Sequence, residues 1–527
     1  MSATRSRPGP SRPGFLLALY LLLFSAVLLS HATLLRLPYF WDEGGYYVPA
    51  ALDFFHRWTL IPEFTNAHPP LPSIFLAAAW HVFGFHILTT RFVACSFAAA
   101  GLLAIFELTR RLLGLAPAGT ITFLTAVYPI WYAQSSLAHA DIFAAAFTLA
   151  GVAAFLTSPE QMGSAAPGAS SSRHRLLGAS TLFCLAALAK ETAVVQPLAL
   201  ACMEAFVLWR SPAANPGPTR RWIGALLIPV PVLAAWFAFH RWRTGFTFGN
   251  PEFLRYNATA NLTLAHLGAG FGYRFLHLFW QRSIWLPLVL AAACLLLPRR
   301  AGRRGLPAKV LASIGVLVVA NWIAFSFLGG ALLTRYLLPV YPLLLLLCLA
   351  TWWERTVHWP TLAVLTGFAF ISGWWLNPPT YFAPEDNLTY RDMIVVHQEA
   401  IAFLQQTMPD ATVLTAWPAA AELYRPELGY TKQRFKVFSI EDFSPAQIAR
   451  AAVAPDRFDT ALVFTTHYVT PAFRAYLLAH PNSRRGREFL RDRDLAPAEV
   501  ARVLGGHVVW QDAVSYTHLT LPTIYSV

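Results

Sequence analysis

Charged residues are scarce in this chain of 527 residues, where Asp, Glu, Lys and Arg make up 13% and hydrophobic residues 56%. Soluble globular proteins carry about 25% charged residues, so the composition argues against that class. The formal net charge of +13 is also typical of proteins that bind nucleic acid. However, the arginines fall in short clusters between apolar runs, where basic residues set membrane orientation. We therefore predict a polytopic membrane protein without a nucleic-acid partner.

Cysteine is also scarce, with five residues, all within apolar segments. None shows the CxxC or Cys/His spacing of a metal site, so neither a disulfide framework nor structural zinc is supported. A cleavable signal peptide is not indicated either. The first apolar run, 15–35, is longer than a typical signal segment, and no clear small-residue cleavage site follows it. We expect a retained helix with a cytoplasmic N-terminus.

Long apolar runs dominate the chain, and about eleven approach the roughly 20 residues that span a bilayer. With the N-terminus inside, alternation of the spans places arginine clusters such as Arg110 and Arg111 on the inner side. Segments 46–58 and 69–85 are then helices on, or dipping into, the outer surface. The predicted spans are 15–35, 92–112, 117–137, 141–157, 175–190, 192–209, 222–240, 278–297, 310–328, 333–350 and 359–377.

The composition changes near residue 378. Residues 390–408 have apolar side chains at helical spacing, and short β-rich runs alternate with helical stretches after them. This alternation is typical of a small α/β domain. We predict a membrane domain over 1–377, an extracytoplasmic α/β domain over 378–513 and a non-native tail over 514–527, which resembles a translated cloning adaptor. The β-rich runs are 411–417, 435–440, 461–466 and 507–511.

Two adjacent carboxylates, Asp42 and Glu43, lie just past the first span. Acidic groups are poorly solvated beside hydrocarbon, so a pair at the mouth of a membrane helix indicates function. Gly44 and Gly45 allow close approach of a ligand to the backbone, and Tyr46 suits the membrane interface. A carboxylate fixed there is suited to general-base catalysis on an acceptor hydroxyl. A simply hydrated interfacial pair is the alternative.

Other polar residues fall on the same predicted outer side. His68 begins a turn that the following prolines stiffen. The alternative to a functional role is that the turn is only structural and the histidine has no part in it. Arg91 begins the second span and is alternatively a snorkelling anchor. Asp141 lies in an outer hairpin, where it alternatively caps the next helix, and His139 beside it is a weak candidate ligand or a hydrogen-bonding partner. Lys190 is followed by a glutamate, so a mutual ion pair is also open.

Arg335 is the most isolated cation, because no other charged residue occurs from Val310 to Trp353. A charge amid such apolar sequence needs an anion or a protein partner. The guanidinium fork suits phosphate because it binds two oxygens at once; a structural ion pair is the alternative. Carboxylates and cations on one side of a membrane suit a lipid that carries phosphate and a polar cargo.

The order and sidedness of these residues resemble the GT-C membrane glycosyltransferases, in the branch of the protein O-mannosyltransferases and the lipid A aminoarabinose transferase. The resemblance covers 15–377. It implies a GT-C-like fold and transfer of a sugar, with inversion, from a polyprenyl-phosphate donor to an acceptor hydroxyl on a lipid, glycan or protein. The setting would be the outer face of a bacterial inner membrane. The matching pieces are Asp42-Glu43, His68-Pro69-Pro70-Leu71, Arg91, Tyr128-Pro129, Asp141, Lys190, and Arg335-Tyr336 with Pro339 and Pro342.

The same resemblance implies residue roles. Asp42, with Glu43 beside it, would be the general base, and Arg335, with Lys190 or Arg91, would hold the donor phosphate. No cofactor is firmly implied. Some relatives bind a metal through an acid that matches Asp141, so a divalent metal is open here, with His139 as a second weak ligand candidate. The residues expected to bind substrate are His68, Tyr46, Asp141 and Tyr336.

Two other functional classes stay open on the residues alone. A transporter would also be polytopic with buried charges, but it should show inverted repeats and broken helices at the midplane. A membrane scaffold or sensor would use the α/β domain as a binding module and would not need the acidic pair. Transfer of a sugar from a polyprenyl phosphate by purified membranes separates both from a transferase.

The topology gives a first prediction, that the C-terminal domain lies outside the cytoplasm. Because the basic loops fix the parity of the spans, a periplasm-dependent reporter fused after Asp512 should be active. A matched reporter that is active only in the cytoplasm should be silent at the same position. The reverse pattern would overturn the topology.

Overall fold

The computed structural model describes residues 12–61, 68–158, 161, 169–210, 217–249, 251, 263–328, 332–378, 382–465, 471–512 and 523–526. The chain divides into two compact units. Met1–Leu35 together with Pro49–Trp374 form the membrane unit. Arg36–Val48 together with Trp375–Val527 form the α/β unit.

The membrane unit is helical, and the chain is a polytopic membrane protein. Five helical segments are long and apolar enough to cross a membrane: Pro13–Ser30, Ile87–Leu113, Glu191–Arg210, Gly217–Thr244 and Ala308–Phe327. In chain order the α-helices are α1 (Pro13–Ser30), α2 (Val48–Arg57), α3 (Leu71–Phe83), α4 (Ile87–Leu113), α5 (Leu115–Val127), α6 (Pro129–Gln134), α7 (Ala140–Leu156), α8 (Ala169–Ala189), α9 (Val195–Arg210), α10 (Gly217–Leu227), α11 (Pro229–Thr244), α12 (Leu264–Phe279), α13 (Trp285–Leu295), α14 (Ala308–Phe327), α15 (Val340–Arg355) and α16 (Trp359–Ser372). Short 3₁₀ helices are Glu191–Val194, Gln281–Ser283 and Thr334–Leu337.

Prolines divide some of the predicted spans. The span predicted at 117–137 is split into α5 and α6, which begins at Pro129, because a proline inside a helix removes a backbone donor and clashes with the preceding turn. The span predicted at 333–350 starts as the 3₁₀ helix Thr334–Leu337, and α15 follows Pro339. Length and apolar composition therefore give five spans in the described part of the chain, and the other predicted spans coincide with shorter or less apolar helices.

The packing of α4 against α7 positions two of the predicted site residues in the membrane unit. α7 packs on both α4 and α8 and is buried along most of its length, as expected of a helix that is apolar on every face. A Cβ built at Gly101 of α4 would lie 3.6 Å from the Cα of Ala146 on α7 and 2.7 Å from the Trp131 ring on α6, so a larger residue at Gly101 would displace that ring. Arg91 lies in the second turn of α4, and Asp141 lies in the first turn of α7.

The α/β unit contains a five-stranded sheet in the order β2-β1-β3-β5-β4. β1 pairs in parallel with β2 and β3, and β5 pairs antiparallel with β3 and β4. The first four strands coincide with the predicted β-rich runs. The strands are β1 (Thr412–Ala416), β2 (Lys436–Ile440), β3 (Thr460–Val463), β4 (His507–Gln511) and β5 (Thr523–Ser526). The helices are α17 (Thr389–Thr407), α18 (Ala419–Tyr424), α19 (Pro445–Ala452), α20 (Pro471–Ala479), α21 (Arg484–Asp492) and α22 (Pro497–Leu504).

β5 lies inside the segment 514–527, which the sequence analysis sets apart from the fold. The structure gives Thr523–Ser526 a place between β3 and β4, while 514–522 and 527 lie outside the described residues. The non-native origin of this tail stays a prediction.

The division of the chain differs from the predicted one at residues 36–48. The predicted boundary near 377 is close to the observed one after Trp374, but Arg36–Val48 lies in the α/β unit rather than in the membrane unit. The reason is a set of long-range contacts, among them a hydrogen bond from the Tyr39 N–H to the Leu428 carbonyl at 3.0 Å. Nothing in the sequence predicts that Tyr39 and Leu428, which are far apart along the chain, form a hydrogen bond.

Candidate active site

Asp141 is positioned by the start of α7. The helix begins at Ala140, His139 occupies the N-cap position, and Asp141 lies in the first turn. A carboxylate there is stabilised by the partial positive charge of the helix N-terminus. Because the N-cap residue is His139, the capping alternative for Asp141 does not hold, and its carboxylate is available to other side chains.

A buried charge cluster joins Asp141, Lys190 and Arg335. Lys190 Nζ donates to Asp141 Oδ1 at 2.5 Å, and Arg335 Nε lies 3.3 Å from Asp141 Oδ2. The side chains of Lys190, Asp141 and Arg335 are 5%, 2% and 2% exposed. Removing charges from water is costly unless they are well paired. Two cations and one carboxylate leave the cluster with one net positive charge, which favours an anionic ligand.

The cluster lines a small pocket with a volume of about 20 Å³. Tyr336 lines it too, and Lys190 Nζ lies 3.9 Å from the centroid of the Tyr336 ring. The Thr148 hydroxyl and the side-chain carbonyl oxygen of Gln196 belong to residues that line the pocket, and both atoms are buried without a hydrogen-bond partner among the described residues. Buried polar atoms are usually satisfied, so these two favour a polar ligand.

The loop before α7 is tied to the cluster. His139 is fully buried, and its Nδ1 lies 2.9 Å from Gln134 Oε1 and 3.3 Å from Arg335 Nη1. Arg91 Nη1 donates to the Ser136 carbonyl at 2.8 Å. Arg91 is only 1% exposed, so its head group is not in water as a snorkelling anchor requires. Among the described residues that line the pocket Arg91 is absent, and its contact indicates that it supports this loop.

Lys190 and its neighbour Glu191 pair with different partners. Lys190 binds Asp141, whereas His68 Nδ1 lies 3.0 Å from Glu191 Oε2. The ion pair between Lys190 and Glu191, which was one alternative from the sequence, is therefore replaced by the pairs Lys190–Asp141 and His68–Glu191. His68 contacts the first residue of the 3₁₀ helix Glu191–Val194, and we interpret it as a support for the backbone beside Lys190.

Asp141 and His139 do not fit a divalent metal site. Asp141 contacts the cationic side chains of Lys190 and Arg335, and His139 also contacts Arg335. These positive charges would repel a metal cation. Within the described ranges no three His, Cys, Asp or Glu side chains group as metal ligands.

Arg274 of α12 is a buried cation that the sequence analysis missed. It is 0% exposed, and its guanidinium donates to the Phe325 carbonyl at 3.2 Å and to the Leu333 carbonyl at 2.6 Å. Its Cζ lies 5.6 Å from the Tyr336 ring centroid. Arg274 thus joins the end of α14 to the turn that carries Arg335. A lone arginine inside an apolar segment was the available signal, as it was for Arg335.

The acidic pair lies in the α/β unit, whereas the buried charge cluster lies in the membrane unit. Asp42 is half-buried and precedes a π-helical turn, Glu43–Tyr47, which also contains the half-buried Tyr46. Glu43 is fully buried, and its Oε2 accepts the Phe40 N–H at 2.9 Å. This hydrogen bond closes the turn around Asp42, so the two carboxylates have different surroundings.

The charge cluster gives a stability prediction for Asp141→Asn. The change leaves two buried cations without their carboxylate, and breaking a buried ion pair costs about 3–5 kcal/mol. We expect a clearly lower melting temperature in detergent. The matched control is Glu488→Gln, whose partner Arg484 is 88% exposed; exposed pairs contribute only about 0–1 kcal/mol. Equal melting temperatures for the two variants would show that the cluster does not hold the fold together.

Residues 67–236 match the family model described as dolichyl-phosphate-mannose-protein mannosyltransferase, a segment that includes His68, Arg91, Asp141 and Lys190. A comparison with curated proteins finds no match. The crystal structure of ArnT from Cupriavidus metallidurans bound to undecaprenyl phosphate matches with a TM-score of 0.50 and 14% identity, over 97% of each chain. Its apo crystal structure matches with a TM-score of 0.50 and 13% identity, again over 97% of each chain.

Identity this low shows a shared fold, and the family match adds a segment of shared sequence pattern. Both agree with the resemblance that the motifs indicate. The chain therefore shares the fold of the GT-C membrane glycosyltransferases and resembles their protein O-mannosyltransferase and aminoarabinose transferase branch.

Proposed function

We propose that this protein is a glycosyltransferase that moves a sugar from a polyprenyl-phosphate donor to an acceptor hydroxyl at the outer face of a bacterial inner membrane. The observation that carries the proposal is the buried charge cluster of Asp141, Lys190 and Arg335 beside a pocket in an apolar unit. Its net positive charge suits an anion that arrives within the membrane. A lipid phosphate is such an anion, and the ArnT crystal structure of the same fold holds undecaprenyl phosphate.

Arg335 and Lys190 are the proposed contacts of the donor phosphate. Arginine binds phosphate oxygens in pairs, while lysine acts as a point charge. Asp141 keeps both cations oriented before the donor arrives, and Tyr336 flanks Lys190 in the same pocket. As the bond to the sugar breaks, negative charge grows on the phosphate. Fixed cations in a dry pocket stabilise that charge without reorganising.

Asp42 is the proposed general base. Its carboxylate takes the proton of the acceptor hydroxyl while the hydroxyl oxygen attacks the anomeric carbon of the donor sugar. The bond between that carbon and the phosphate oxygen breaks, and its electron pair leaves with the phosphate. Attack in line with the leaving phosphate inverts the anomeric configuration. Phosphate is a good leaving group, so no strong general acid is needed. Glu43 closes the turn through its hydrogen bond to the Phe40 N–H, so its proposed role is structural.

The remaining predicted residues receive supporting parts in this proposal. Arg91 holds the loop before Asp141, and His68 holds Glu191 beside Lys190, while Tyr46 is kept as a substrate contact. About eleven membrane-embedded helices, a cytoplasmic N-terminus and an extracytoplasmic α/β unit complete the arrangement, in line with the positive-inside rule. The transferred group is a hexose or a pentose, and the acceptor is a lipid, a glycan or a protein.

We predict that Asp42→Asn abolishes transfer of sugar from a polyprenyl-phosphate donor. Loss of a general base lowers the rate by about 100- to 10,000-fold, while expression and binding of undecaprenyl phosphate should stay near wild type. The assay is single-turnover transfer in purified membranes, with Glu43→Gln as the neighbouring control and a milder expected loss. Near-normal turnover in Asp42→Asn would reject the role of Asp42 as base.

We predict that Arg335→Ala weakens binding of undecaprenyl phosphate about tenfold or more. A hydrogen bond to a charged group contributes roughly 1.5–3 kcal/mol, and Arg335→Lys should recover only part of it because lysine lacks the two-pronged geometry. A titration of the detergent-solubilised protein measures the dissociation constant. Arg484→Ala, at an exposed arginine, is the control and should bind normally.

An unchanged dissociation constant in a folded Arg335→Ala variant would make Arg335 structural. The donor phosphate would then have to be held by Lys190 or Arg91.

A further inference from the structure

We propose that the α/β unit takes part in catalysis by holding Asp42, and that Trp417 is the positioning residue through which it does so. The inference rests on the proposed role of Asp42 as general base. It assigns a function to a unit for which the fold alone suggests none. The supporting contacts all lie within the α/β unit.

The segment around Asp42 is fastened to that unit on its N-terminal side. The Tyr39 N–H donates to the Leu428 carbonyl at 3.0 Å. The Phe40 ring lies 5.8 Å from the ring of Tyr390 on α17. The residue directly before Asp42, Trp41, meets Trp417 edge to face, with ring centroids 4.6 Å apart. Three consecutive residues before the base therefore contact the α/β unit.

The glycine pair behind the carboxylates is fastened to the same unit. A Cβ built at Gly45 would lie 3.3 Å from Cζ2 of Trp417, and one at Gly44 would lie 3.2 Å from Cδ1 of Leu428. Contacts this short leave little room for a side chain. The sequence pattern predicts close approach of this backbone to a ligand, whereas in the structure the backbone approaches the Trp417 indole. Trp417 thus touches the chain on both sides of Asp42.

The backbone at Trp41 is unusual in a way that these contacts explain. Its φ is +46°, in the left-handed region that bulky residues rarely adopt because the conformation is strained. It persists only where the surroundings determine it. Glu43–Tyr47 continues as a π-helical turn, a feature frequent at functional sites. The contact with Trp417 offsets this strain and thereby fixes the direction of the next residue, Asp42.

Trp417 is well placed to act as a rigid support. It follows β1 directly, and β1 pairs in parallel with both β2 and β3. The carboxyl ends of parallel strands are where sheets of this type commonly carry functional groups. A base has to be held within a fraction of an ångström of its acceptor, and a misplacement of about 1 Å costs roughly 100-fold in rate. A tryptophan directly after a central strand supplies such a reference point.

The test compares Trp417→Ala and Trp417→Phe in the full-length protein, with Trp510→Ala as the control. Trp510 lies on β4 of the same unit and stacks on Phe403, away from the contacts described above. For each variant we would measure single-turnover transfer, the dissociation constant for undecaprenyl phosphate, and the melting temperature.

We expect Trp417→Ala to slow transfer about 10- to 100-fold while binding of undecaprenyl phosphate stays within twofold. Trp417→Phe keeps an aromatic edge and should recover most of the rate. Trp510→Ala should lower the melting temperature and leave the rate unchanged. If Trp417→Ala does not fold, Trp417→Phe and Gly45→Val carry the test, because valine collides with the indole and should slow transfer in the same way.

A purely structural Trp417 would give a lower melting temperature with wild-type transfer, and that result overturns the inference. Equal losses in transfer and lipid binding overturn it as well. Asp42→Asn separates this failure from that of the proposed function. An inactive Asp42→Asn together with a normal Trp417→Ala rejects only the inference, whereas an active Asp42→Asn rejects the base itself.

Discussion

The ion pairs of Asp141 are the interaction on which the rest of the membrane unit depends. Lys190 and Arg335 are almost fully buried and share this one carboxylate. Charges in such a place cost several kcal/mol each unless they are paired, so the helices that deliver them have to meet accurately. Asp141 comes from α7, Lys190 directly follows α8, and Arg335 comes from the 3₁₀ helix before α15. The cluster therefore ties three distant parts of the chain together.

A second consequence is electrostatic. One carboxylate for two cations leaves positive charge beside a pocket within an apolar unit, which is a poor choice for stability alone. Replacing a buried ion pair by apolar residues is often neutral or stabilising, so stability alone does not account for this cluster. Arg274 extends the same logic, because its hydrogen bonds to Phe325 and Leu333 carbonyls fix the turn that presents Arg335. The geometry suits capture of a lipid phosphate before any chemistry begins.

The sequence was enough to predict the membrane class, because apolar runs and loop arginines report it directly. The sequence also identifies Arg335 as a candidate, because it is the one charged residue between Val310 and Trp353. The pairing of Lys190 with Asp141, 49 residues apart, could not be predicted, since helix packing decides which buried charges meet. The placement of Arg36–Val48 in the α/β unit was missed for a similar reason. It depends on residues such as Trp417 and Leu428, nearly 400 positions further along the chain.

We propose that the charge cluster binds the phosphate of a polyprenyl lipid. A cryo-EM structure of the full-length protein with undecaprenyl phosphate tests it most directly. We expect phosphate density within hydrogen-bonding distance of the Arg335 guanidinium and the Lys190 ammonium, in the pocket that Tyr336 and Thr148 also line. Phosphate bound elsewhere, with Lys190 and Arg335 still holding only Asp141, would contradict it.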